Sequence, residues 1–143
     1  MIVTFYVPFV HGKQRPKFAR MGKAVRAYTP KDTERNESRI ANAYSGASIR
    51  KYGRVVSAGE HVPVTLCVVT RRALPKSRPK RIAIEHDTYK PDLDNEIKEV
   101  KDALNGVAWV DDAQVTETHG FKMPRARGLT EDRTYVTVIW EEQ

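Results

Sequence analysis

Residues 2–7 read Ile-Val-Thr-Phe-Tyr-Val, a run of β-branched and aromatic side chains that predicts a β-strand. Pro8 ends it or places it near a sheet edge. The next period is helical. Thr29-Pro30 has the form of a helix start, with Thr29 as N-cap and Pro30 at the first helical position. Ile40, Ala43, Tyr44 and Ala47 recur at i, i+3, i+4 and i+7, predicting a helix that runs to about Tyr52, before Gly53. Ser48 interrupts that stripe and Gly46 weakens it. Residues 62–70 carry Val64, Leu66, Val68 and Val69 in a half-alternating pattern, the mark of a half-buried strand. A second helix follows Asp92, its buried face drawn by Leu93, Ile97, Val100 and Leu104, with Asn105-Gly106 as its stop. Residues 114–122 and 134–140 read as two more strands, residues 123–133 as a turn or flexible hairpin loop, and residues 82–84 as a short strand.

That order of elements predicts an α/β (α+β) fold, a mixed β-sheet of about four strands packed with two main helices. The length suits a single domain spanning residues 1–143, and 40% hydrophobic residues are enough to build its core. Cys67 is the one cysteine, so there is no internal disulfide framework, and a reducing compartment fits. Within its apolar run it is expected to be a small core residue. The first residues lack a charged leader region and a small-residue cleavage site. No run approaches the ~20 apolar residues of a membrane span. The expectation is a soluble cytoplasmic protein with no membrane partner.

Charge sharpens this picture. The chain has 25 Lys and Arg against 18 Asp and Glu, a formal net charge of +7. Such an excess favours a polyanionic partner. It is also unevenly spread. Residues 11–31 form a long polar connection with seven basic residues, no acid, and Phe18 and Tyr28 interleaved. They are either a solvated arm or an arm that tracks phosphates. Residues 71–90 form a second basic loop, broken by Pro75 and Pro79. Together these stretches nominate Lys13, Arg15, Lys17, Arg20, Arg71, Arg72, Lys76 and Arg78, with Lys122, as DNA-binding residues.

Acids nevertheless bracket the second helix. Asp92 and Asp94 stand at its start, and Asp111 and Asp112 return just past its end. Two carboxylates about 4 Å apart repel by roughly 4 kcal/mol at an effective dielectric of about 20. A helix N-terminus offsets only about 0.3–1 kcal/mol. Asp92 and Asp94, two apart on extended backbone, point the same way, and Asp112 at the start of the next strand is expected to converge on them. Asp111 would then point away. Hard oxygen ligands favour Mg²⁺, Mn²⁺ or Ca²⁺, and the absence of His and Cys from the stretch argues against zinc. Asn95 is a capping or supporting donor. Lys98, one turn after Asp94, is placed to meet a phosphate, orient a water or offset developing charge. The plainer alternatives are an N-cap for Asp94, a solvated turn for Asp111-Asp112 and an ordinary i, i+4 pair for Lys98. Nothing in the spacing of His11, His61, His86 or His119 makes them ligands.

The segment Asp92-Leu93-Asp94-Asn95, Lys98, Asp102-Ala103-Leu104-Asn105-Gly106 and Trp109-Val110-Asp111-Asp112-Ala113-Gln114-Val115 resembles the signature of the RusA family of Holliday junction resolvases. Gly12-Lys13-Gln14-Arg15-Pro16 and Ala27-Tyr28-Thr29-Pro30-Lys31 are similar to phage-type members. The resemblance implies a small homodimeric endonuclease, dependent on Mg²⁺ with Mn²⁺ able to substitute. Such an enzyme binds four-way junction DNA and nicks two opposed strands in recombination and repair. It assigns metal binding and catalysis to Asp92, Asp94 and Asp112, the essential lysine to Lys98, and a supporting place to Asp111. It also implies a bacterial or phage-encoded protein. Two other functions compete with it: a non-catalytic junction-binding protein and a metal-dependent nucleotide phosphohydrolase.

Overall fold

The computed structural model describes residues 1–14, 17–22, 24–28 and 31–142. Strand β1 (Ile2–Val7) alternates cleanly, with Val3, Phe5 and Val7 buried. A two-stranded hairpin follows, β2 (Lys17–Met21) with β3 (Ala24–Tyr28). It replaces the structureless connection expected over residues 11–31. Met21 pairs with Ala24, and Gly22 between them takes a left-handed φ of 64°. A glycine at a tight turn is a hairpin signal, but the charged flanks hide it.

Helix α1 (Lys31–Tyr52) ends where the periodicity places it. The expected start at Thr29-Pro30 lies outside the described residues. Ile40, Tyr44 and Ala47 are buried and Ala43 is partly so. Ser48 does not break the stripe: it is buried, donates to the Arg54 carbonyl (2.9 Å) and accepts from the Val56 amide (2.7 Å). Its hydroxyl thus satisfies the backbone just past the helix end.

β4 (Val64–Arg71) buries Val64, Leu66, Val68 and Thr70 in strict alternation. Val69 and Cys67 occupy the alternate set of positions and are only half-buried, which corrects the expectation of Cys67 in the core. β5 (Ile84–Glu85) pairs with β7 (Arg125–Ala126), so the expected loop over residues 123–133 contains a short strand. Between them lie α2 (Leu93–Leu104) and β6 (Val115–Lys122), and β8 (Arg133–Ile139) closes the chain.

The main sheet has the order β1-β8-β4-β6. β1 and β4 each run antiparallel to β8, and β4 runs parallel to β6, so the sheet is mixed and the fold is α+β. α1 packs on β1 and α2, and α2 packs on β6. The core lies between these helices and the inward positions of β1, β4 and β8, with Trp109 and Trp140 among its large members. β6 is the edge strand, and nearly all of it is exposed. One of its positions sets the helix height: a Cβ on Gly120 would lie 2.6 Å from Ile97 Cδ1. With glycine there, the Ile97 and Leu93 side chains lie directly against the β6 backbone, and a larger residue would have to displace them. No helix among the described residues is long and apolar enough to cross a membrane.

Candidate active site

α2 has a strongly one-sided sequence, and that sidedness builds the site. Val100, Ala103 and Leu104 face the core, and Asp94 and Lys98 are exposed. Asp94, Lys98 and Asp102 recur at i, i+4 and i+8, one stripe along the helix. That stripe forms one wall of a cavity of about 540 Å³, completed by Lys101, Asp112 and Thr118 of β6. The close approach at Gly120, two residues beyond Thr118, holds the two walls together.

Asp112 reaches the cavity by another route than expected. It does not begin a strand but opens a short 3₁₀ turn, residues 112–114, and β6 begins at Val115. Asp111 caps that turn, accepting from the Ala113 amide (2.8 Å), and its own amide donates to the side-chain carbonyl of Gln114 (2.9 Å). The cap leaves Asp111 on the outside. Asp112 accepts from the indole Nε1 of fully buried Trp109 through Oδ1 (2.8 Å). One oxygen is therefore fixed against a rigid ring, and Oδ2 remains for a ligand.

Asp92 stands at the N-cap of α2 in extended backbone, without a side-chain capping bond. It is half-exposed and meets Lys90 at 3.1 Å. It is not among the residues that line the cavity with Asp94 and Asp112. Among the described residues, no three His, Cys, Asp or Glu side chains come close enough to hold an ion. Two of the three cavity carboxylates, Asp94 and Asp112, still suit one of the hard divalent ions, since Mg²⁺ is commonly held by one or two carboxylates with water and phosphate oxygens completing its shell.

The sequence of this chain matches the family model described as Endodeoxyribonuclease RusA over residues 8–139. The chain belongs to the RusA family. A comparison with curated proteins gives no match. RusA enzymes are endodeoxyribonucleases, nucleases that hydrolyse the phosphodiester bonds of DNA. The match spans the cavity and nearly all of the fold.

In this RusA chain the basic residues divide into kinds that charge patterning does not separate. Arg20 and Lys76 are exposed. Arg71 is half-buried, its guanidinium 5.8 Å from the Tyr135 ring centre, and Arg78 pairs with Glu85 at 2.9 Å. Lys13 is drawn inward, to Glu37 (2.6 Å) and Asp102 (3.1 Å). Burial pulls its ammonium down, but those two carboxylates more than reverse this and hold its pKa above the usual value. Its amide also donates to the Asn95 carbonyl (3.0 Å). Arg72 and Lys122 are turned toward the chain that leads into Asp92. Arg15 and the side chain of Lys17 lie outside the described residues. His86 and His119 are exposed, and His119 pairs with Glu117 at 2.7 Å, away from the cavity lining.

Sequence reasoning missed Asp102, Lys101 and Thr118. Asp102 had a signal, because it continues the Asp94–Lys98 spacing by one more turn. It also missed two buried carboxyls on the inner side of α2. Glu99 pairs with His11, and burial raises its pKa against the pull of that histidine. Glu96 is 2% exposed, and neither of its oxygens accepts a hydrogen bond from the described residues. Burial pushes its pKa up to about 7, with Lys122 and Arg72 pulling the other way.

Proposed function

We propose that this protein is a divalent-metal-dependent nuclease that resolves four-way DNA junctions by paired nicks, in recombination and repair, with Mg²⁺ as its ion and Mn²⁺ as a substitute. The observation that supports this most directly is the single cavity shared by Asp94, Lys98 and Asp112, in a chain of an endodeoxyribonuclease family.

In this reading the carboxylates of Asp94 and Asp112 hold the metal. When bound, such an ion neutralises phosphate charge and makes an attacking water more acidic. Trp109 keeps Asp112 in one orientation. Asp92 is the third proposed ligand. Its contact with Lys90 is an exposed ion pair, a kind that contributes only about 0–1 kcal/mol, so it is readily given up. Lys98 offers its ammonium to the scissile phosphate and is worth most as charge develops there. Phosphate contacts elsewhere supply affinity without sequence information. A two-fold junction cut in two places needs two active sites, which a homodimer supplies. The setting is intracellular, where such DNA occurs.

The test is cleavage of synthetic four-way junctions and linear duplex, each with and without Mg²⁺. Paired nicks on the junction alone, and only with metal, are expected. Junction binding without cutting in either Mg²⁺ or Mn²⁺ would sink the catalytic reading and leave a binding protein. Free nucleotides that outcompete junctions as substrate would point to a phosphohydrolase.

A further inference from the structure

Arg72 and Lys122 look like DNA contacts by sequence, yet their donors are committed elsewhere. Arg72 directly follows β4, and Lys122 ends β6, where it pairs with Thr70. Both cations therefore leave the same end of two adjacent parallel strands. Arg72 bonds Asp87 through Nε (2.8 Å), the Lys90 carbonyl through Nη1 (2.8 Å) and the Tyr89 carbonyl through Nη2 (3.2 Å). Lys122 Nζ donates to the carbonyls of Tyr89 (2.6 Å) and Pro91 (2.9 Å). Their side chains are only 16% and 14% exposed. Asp87, the anion between them, is buried. Burial pushes its carboxyl up, and Arg72 more than reverses this, holding it below the usual carboxylate range.

Three consecutive carbonyls, those of residues 89, 90 and 91, thus rest on two cations. They belong to no helix or strand, and no backbone amide among the described residues donates to them. The next residues are Asp92 and Asp94. Arg72 is bonded to three backbone or carboxylate groups and Lys122 to two, with Asp87 at 3.8 Å, so neither has much left to offer a phosphate, but each sets the path of the chain it grips.

We propose that Arg72 and Lys122 are positioning residues for cleavage: by gripping the carbonyls of Tyr89, Lys90 and Pro91, they fix where the Asp92 and Asp94 carboxylates stand. This rests on the reading that those acids act in metal-dependent hydrolysis. Acids displaced by even about 1 Å lose roughly 10²-fold in rate. Loss of a group that orients a metal ligand costs about 10–100-fold in metal affinity.

The decisive variant is Lys122→Met, which keeps the apolar stem and removes the donors. Three readouts separate the roles: metal-free junction binding against salt, Mn²⁺ affinity by electron paramagnetic resonance, and single-turnover cleavage. Junction affinity within about twofold of wild type and an unchanged salt slope are expected, because no phosphate contact is lost. Cleavage and Mn²⁺ affinity should each fall by about 10–100-fold. Lys122→Gln, which keeps an N–H donor, should restore part of both. A junction affinity that drops, with a salt slope shallower by about one, would make Lys122 a phosphate contact and overturn the inference. So would wild-type cleavage and Mn²⁺ affinity. If Lys122→Met fails to fold by circular dichroism, Arg72→Lys and Lys122→Gln carry the same readouts, and full activity with full Mn²⁺ affinity in both overturns it equally. A wild-type protein that binds Mn²⁺ but cuts no junction removes the cleavage reading alone. The Mn²⁺ affinities of the variants still decide the positioning.

Discussion

At the scale of single residues, the site pairs an acid held by a side-chain bond with one open to solvent. Asp112 is tied to Trp109, whereas Asp94 is exposed at the first turn of α2. Asp94→Asn and Asp112→Asn should each lower single-turnover cleavage by at least about 10²-fold while junction binding persists, as expected when an ion that stabilises the transition state is lost. Normal nicking by purified Asp94→Asn would defeat the assignment. Trp109→Phe is subtler, since it keeps a ring in the core and removes the N–H. Its Mn²⁺ titration should shift by about 10–100-fold, with a smaller effect at saturating metal. An unshifted titration would mean that the indole bond has no part in metal binding. Glu96 gives a stability test. Its folded pKa, about 7, lies above the ordinary value of 4.5, so its favourable contribution is complete below pH 4.5 and is lost as pH rises through 7. The contribution at stake is on the order of 3 kcal/mol. Glu96→Gln should flatten the fall in denaturant stability between those pH values, and an unaltered pH profile would show that Glu96 is ionised at little cost.

At the scale of elements, the contact between α2 and β6 governs the cavity. Gly120→Val should push Ile97 and Leu93 outward, lower stability by about 1–3 kcal/mol and slow cleavage more than binding. Equal losses of both would place the damage elsewhere. This close approach was only partly legible in the chain. The four apolar positions of α2 declare its buried face because one face meets a core. The strict alternation of β1 does the same. The β2–β3 hairpin was hidden because it pairs outside the main sheet, so no apolar face marks its period, and Gly22 was its one cue. Asp92 and Asp94 do stand at the start of α2, but Asp94 lies within its first turn and not on the extended backbone expected. That Asp112 sits in a 3₁₀ turn had a signal, the capping-box spacing of Asp111 and Gln114, which the apolar-polar pattern alone does not reveal.

At the scale of the whole molecule, a formal charge of +7 says that a polyanion is favoured but not which cations meet it. Charge patterning treats Arg72, Lys122, Arg20 and Lys76 alike. The fold separates them, because a buried cation is claimed by whichever carbonyls pass near, and that depends on contacts distant in sequence. Arg20 and Lys76 remain exposed. Replacing both with alanine should weaken junction binding and make the salt slope shallower by about two. A slope that stays put would take these two out of the footprint.

The placement of the cavity on the sheet's rim has a consequence for heat inactivation. Its walls are α2 and the exposed strand β6, while most of the interlocked apolar mass lies toward β1, β8 and β4. Peripheral units open at lower free energy than central ones. Amide exchange should therefore run faster in β6 than in β8, and catalytic competence should disappear on warming some degrees before the interior strands melt.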